Sequence, residues 1–181
     1  MDAYETKNPV VALQIEDYGT VVIELYPEIA PNTVNNFISL VKRGFYDGNS
    51  FHRSVPGFMI QGGDRTATAR ADPATQSKAS SPTTGLKTAS STEGVISMAR
   101  RQPYDTAGSQ FFLMLGTAEH LDGQYAAFGK VIDGMDVVRS IADNETVADA
   151  YSGKLENNVT IEKAVVDTKG VEYPEPVTIA E

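Results

Sequence analysis

A chain of 181 residues with 41% hydrophobic content is long enough for one domain with a continuous core. Its formal charge of −9 argues against nucleic acid and anionic membranes as partners, and no apolar run approaches the ~20 residues of a membrane helix. Cysteine is absent, which excludes disulfides, thiolate nucleophiles and cysteine metal sites, and His52 and His120 have no metal-ligand spacing, so neither metal nor cofactor is expected.

The opening residues lack the basic start and apolar stretch of a secretory signal, which gives the expectation of a cytoplasmic protein. Residues Val10 to Glu16 and Thr20 to Tyr26 are rich in β-branched and aliphatic side chains, and Asp17-Tyr18-Gly19 between them has turn chemistry, so a β-hairpin is predicted. A helix follows. Pro31 suits its first turn, Val34, Phe37, Ile38 and Val41 recur at helical spacing, and Gly44 can end it in a left-handed cap.

Short apolar runs come next, at Ser50 to Ser54, Phe58 to Gln61, Val95 to Ala99, Phe111 to Met114 and Ala127 to Ile132, punctuated by Gly and Pro. Many short strands with few helices predict a β-sandwich or barrel. A second helix is predicted across Gly134 to Ala142, a last strand from Val159 to Asp167, and a loosely held tail from Glu172 onward. The stretch from Arg65 to Thr92 stands apart. It is mostly Ala, Ser and Thr, with Leu86 its one large aliphatic residue and four cations against Asp72, and reads as a long, locally basic surface loop.

No Gly-x-Ser-x-Gly elbow, phosphate-cradling loop or dinucleotide fingerprint occurs. What remains is a set of unusual blocks: Phe51-His52-Arg53 leading through Pro56-Gly57-Phe58-Met59-Ile60-Gln61-Gly62-Gly63-Asp64, then Ser97-Met98-Ala99-Arg100, Gly108-Ser109-Gln110-Phe111-Phe112, Leu121-Asp122-Gly123 and Phe128-Gly129-Lys130-Val131. In this order they resemble the signature blocks of the cyclophilins, from about Val10 to Asp167. The resemblance implies a single domain, mainly β, built as a closed eight-stranded antiparallel barrel capped by two α-helices, with side chains filling the interior and substrate lying across an outer face. It also implies peptidyl-prolyl cis-trans isomerase activity on proline-containing peptides and unfolded proteins. Arg53 would be the catalytic cation and Gln61 its orienting partner. Phe58, Met59, Phe112 and Leu121 would line the proline pocket, with Ala99, Arg100 and Gln110 flanking the peptide.

The residues themselves are consistent with that chemistry. A guanidinium N–H aimed at the prolyl nitrogen is a better partner for the twisted amide than for the planar one, and no proton transfer is needed. By strand alternation His52 is expected on the face opposite Arg53, as a structural residue. Three positions depart from eukaryotic members: His120 stands where many have Trp, Tyr125 where they often have His, and Arg100 where Asn is frequent. Tyr125 and Arg100 look bacterial in style, and weakened cyclosporin affinity is expected from His120. The Arg65–Thr92 loop, lacking the family's Gly-rich and aromatic residues, is expected to leave a more open, more basic subsite for residues before proline. The rival readings are a non-catalytic proline-peptide binding or chaperone module on the same scaffold, and a barrel carrying a small molecule internally. A monomer is expected.

Overall fold

The structure, a computed structural model, describes residues 6–63, 93–98, 110–117, 127–149 and 151–173. Strands β1 (Val10–Ile15) and β2 (Gly19–Leu25) form the predicted hairpin, in register from Val10 opposite Glu24 to Ile15 opposite Gly19. Helix α1 (Pro31–Lys42) begins on its proline, and Gly44 follows it at φ +71°, its N–H donating to the Val41 carbonyl. Then come β3 (Ser50–Val55), β4 (Met59–Gly62), β5 (Val95–Met98), β6 (Phe111–Met114), β7 (Ala127–Asp133), helix α2 (Met135–Asn144), β8 (Val147–Asp149) and β9 (Lys154–Asp167).

Around the sheet the order is β1-β2-β7-β5-β6-β4-β3-β9, and β9 returns to pair with β1, from Val10 opposite Asp167 to Ile15 opposite Ile161. Eight antiparallel strands therefore close on themselves, which removes the unpaired edges an open sheet would present. The expected barrel is present, with additions. A short strand, β8, pairs with the start of β9 outside the closed ring, and β9 begins at Lys154 rather than Val159. Helix α2 runs to Asn144, beyond the expected Ala142.

Leu13, Ile23, Leu25, Phe51, Ile60, Ile96, Phe111, Leu113, Phe128 and Ile161 fill the barrel. Both helices bury their apolar stripes in this same cluster, α1 through Val34, Phe37, Ile38 and Val41 and α2 through Val138 and Ile141. The Phe37 ring lies 5.1 Å from Tyr46, 5.6 Å from Phe111 and 5.1 Å from Phe128, centroid to centroid. Among the described residues, bulky side chains occupy the barrel interior. The tail is held more firmly at its start than expected, because the Tyr173 ring packs against the core; residues 174–181 lie outside the described residues.

Candidate active site on the outer barrel face

A second apolar cluster sits on the opposite side of the sheet from the core. Strand alternation sends Ile60, Phe111 and Leu113 inward, so Met59, Phe112 and Met114 must face out. They meet Val95 from β5, and Val55, Phe58 and Ala127 pack around them half-buried. Phe112 is only 5% exposed although it lies outside the barrel. The expected pocket residues Phe58, Met59 and Phe112 are thus brought together, whereas Leu121, His120 and Tyr125 lie outside the described residues.

Arg53 borders this apolar patch, and its placement depends on an irregularity that simple alternation misses. Phe51 pairs with Gly62 and Arg53 pairs with Gln61, so β3 spends two steps where β4 spends one. The pairing of β3 with β9 shifts at the same place, Phe51 opposite Val159 and Arg53 opposite Lys154. His52 is the extra residue of a β-bulge. Phe51 and Ser54 are buried, the former in the barrel core, while Arg53 and Val55 face out with Gln61 and Met59. The expectation that His52 would lie on the face opposite Arg53 is therefore corrected. Both residues line one cleft.

That cleft encloses about 1150 Å³ and is also lined by Gln61 and by Tyr151, Ser152, Lys154 and Glu156 from the β8–β9 connection and the start of β9. Arg53 thus stands between an apolar patch on the β4–β6–β5 side and a polar cleft on the β9 side.

The Arg53 side chain is held by neutral acceptors. Its Nε–H donates to the Ser152 carbonyl, and Nη1 donates to Gln61 Oε1 at 3.1 Å. Gln61 Nε2 donates in turn to Gln110 Oε1 at 2.8 Å, which fixes which way the Gln61 amide faces. Gln110 is 7% exposed, so this relay is itself anchored in packed surroundings. No carboxylate pairs with Arg53 among the described residues. Among the described residues, two of the guanidinium's five N–H donors are committed to these acceptors.

The cleft's β8–β9 wall is tightly tied. Asp149 Oδ1 accepts the Tyr151 N–H at 3.0 Å, and Oδ2 accepts the Ser152 hydroxyl at 2.9 Å. These bonds, the backbone one first, hold the Asp149 carboxyl below its ordinary pKa of 3.8. Sequence reading did not find Asp149, Tyr151 or Ser152, because β8 is only three residues long and leaves no periodic signal. Ala99 and Arg100, expected beside the peptide, and the Arg65–Thr92 loop lie outside the described residues.

Comparison with known proteins places this geometry in context. The family model for cyclophilin type peptidyl-prolyl cis-trans isomerases matches residues 10–166. A peptidyl-prolyl cis-trans isomerase-like 1 protein of Rhizopus delemar is 46% identical over 123 residues, covering 67% of this chain and 73% of that protein. Its namesake in Homo sapiens is 40% identical over 128 residues, covering 71% and 76%. Among solved structures, a cyclophilin type isomerase of Cryptosporidium parvum superposes with a TM-score of 0.75 at 28% identity, covering 88% of this chain and 98% of that one. The same protein in the presence of the dipeptide Ala-Pro gives 0.73, also at 28% identity, covering 87% and 98%.

Proposed function

The chain belongs to the cyclophilin-type peptidyl-prolyl cis-trans isomerase family, and we propose that it is an active isomerase in which Arg53 lowers the barrier to rotation about X–Pro bonds. The observation that carries this reading is the setting of Arg53: a cation held by two neutral acceptors, with no carboxylate on it among the described residues, at the rim of an exposed-side apolar patch. A guanidinium serving only solubility or stability would ordinarily be solvated or ion-paired.

Resonance gives the peptide C–N bond a barrier of ~18–20 kcal/mol, and X–Pro bonds turn over tens of seconds unaided, roughly 10⁻² per second. Reaching about 10³ per second requires removing about 7 kcal/mol. As the bond twists, the prolyl nitrogen leaves conjugation and recovers a lone pair. An N–H of Arg53 then gains an acceptor that the planar amide lacks, so the interaction strengthens toward the transition state. Met59, Phe112 and Phe58 offer the ring an apolar seat, which holds the proline while its acyl neighbour turns. Gln61, fixed by Gln110, keeps the guanidinium from swinging away. No proton moves and no covalent bond forms or breaks, so neither a nucleophile nor a metal is required. That a relative was studied with Ala-Pro supports a proline-containing peptide as the ligand here.

The test is a peptide isomerisation assay on the parent chain and Arg53→Ala. The variant should lose at least about 10²-fold in kcat/KM, roughly 3 kcal/mol, while still binding an X–Pro peptide. Full activity in the variant would refute the role of Arg53. A parent that binds the peptide but never accelerates its isomerisation would point instead to the non-catalytic binding module.

A further inference from the structure

Resting on that reading of Arg53, we propose that Asp149 is a positioning residue for the reaction, acting on Arg53 through the Ser152–Gly153 peptide group. The geometry is a chain of bonds converging on one peptide plane. The Gly153 N–H donates to the Asp149 backbone carbonyl at 2.8 Å, and the carbonyl of that same peptide group, belonging to Ser152, accepts Arg53 Nε–H. In a trans peptide the N–H and C=O point in opposite directions, so fixing one at Asp149 aims the other at the guanidinium. The Asp149 carboxylate locks the residues leading into this plane, through the Tyr151 N–H at 3.0 Å and the Ser152 hydroxyl at 2.9 Å. Ser152 Oγ also accepts the Lys154 N–H at 3.3 Å, tying the assembly to the start of β9.

The next peptide group, Gly153–Lys154, is also held. The Gly153 carbonyl accepts the Ser54 N–H at 2.8 Å, one residue beyond Arg53 on β3. Gly153 has φ +76°, and a Cβ there would stand 3.0 Å from the Ser54 carbonyl and 3.2 Å from Arg53 Cγ. Only glycine lets the backbone come this close to the stem of the arginine.

The arrangement also has an electrostatic consequence. A carboxylate set directly on Arg53 would orient it equally well but would pair with the charge the twisted amide needs. Interposing a neutral carbonyl transmits the orientation and leaves the charge available. Tyr151, which is 100% exposed, contributes its N–H to this lock while its ring stays in solvent.

The experiment uses Asp149→Ala, Asp149→Asn and Ser152→Ala in the full chain, with Asp167→Ala as the control. Asp167 caps a comparable local bond, to the Lys169 N–H, at the other end of β9. Two readouts are taken: isomerase kinetics, and the Nε–H NMR resonance of Arg53 in the ligand-free protein. In Asp149→Ala the Arg53 Nε–H should lose its protection from solvent exchange, and kcat should fall by about tenfold with KM little changed, the size expected for misorienting one charge-assisted hydrogen bond. Asp149→Asn, which keeps one acceptor oxygen, should recover part of both effects, Ser152→Ala should show a smaller loss, and Asp167→Ala should show neither. An unchanged Arg53 Nε–H, or an unchanged kcat, in Asp149→Ala overturns the proposal whatever happens to thermal stability. If the parent chain proves inactive, the isomerase reading fails, while the Arg53 resonance still decides whether Asp149 positions this side chain.

Discussion

Replacing Arg53 by lysine separates charge from shape, and the structure fixes what should follow. The positive charge survives, but the planar fork does not. Arg53 spends Nε on the Ser152 carbonyl and Nη1 on Gln61 Oε1, two acceptors on opposite sides of the side chain. A lysine ammonium is a single head on a flexible stem. It can reach one of these acceptors or the substrate, but it cannot be braced by both while presenting a third donor. The interaction lost is therefore one aimed, charge-assisted hydrogen bond to the twisting nitrogen, about 1.5–3 kcal/mol. At 1.36 kcal/mol per decade this is a fall of roughly 10- to 150-fold in kcat/KM. The drop should lie in kcat, because the apolar seat formed by Met59 and Phe112 is untouched. Isomerisation of an Ala-Pro-containing peptide, followed by NMR exchange across a range of concentrations, gives both parameters. A lysine variant within threefold of the parent would refute the reasoning, since charge alone would then suffice and the braced fork would be irrelevant.

Other outcomes follow from the same structure. Phe37→Ala should cost about 3–5 kcal/mol in urea unfolding, because the ring is fully buried against Tyr46, Phe111 and Phe128; a loss under 1 kcal/mol would show that the site collapses freely. The Tyr18 phenol, half-buried and donating to Glu145 Oε1, is raised to about 12 by burial and then by that carboxylate. Its folded pKa exceeds its unfolded value of 10.0, so this contribution to stability is complete below pH 10 and is lost as pH rises toward 12. Glu145→Gln should move the phenolate titration back toward the ordinary value, and a flat stability profile across that window would contradict the assignment. From the sequence resemblance alone, in which His120 stands where many eukaryotic cyclophilins have Trp, cyclosporin is expected to bind weakly; nanomolar inhibition of the purified protein would show otherwise.

Much of the fold was legible because its signals are local. The α1 periodicity, its proline start and Gly44 gave a helix whose observed limits, Pro31–Lys42, follow those cues. The hairpin and β6 were equally plain, since each pairs a run of apolar residues with turn chemistry at its ends. The closure of β9 on β1 has no local signal, being a pairing across most of the chain, and entered only through resemblance. Strand β8 escaped notice for the opposite reason. Three residues at 147–149 are too few to show a period, and their importance lies in bonds made by Asp149 rather than in an apolar pattern.

The site shows the same division at closer range. Arg53, Gln61, Phe58, Met59 and Phe112 were expected together from signature blocks, and the structure gathers them on one outer face. His52 was misplaced because alternation assumes an unbroken ladder, and β3 carries its bulge at that residue. The bulge has a physical purpose in this barrel. With strict alternation from the buried Phe51, Arg53 would point into the apolar interior, where an unpaired guanidinium carries a prohibitive desolvation cost. One inserted residue turns Arg53 outward beside Gln61 while Phe51 stays in the core, and Ser54 then resumes the inward position. Deleting His52 should therefore do more than shorten a strand. It would demand that either Phe51 leave the core or Arg53 enter it, so the cation that the proposed reaction needs and the ring that the barrel needs depend on the same extra residue.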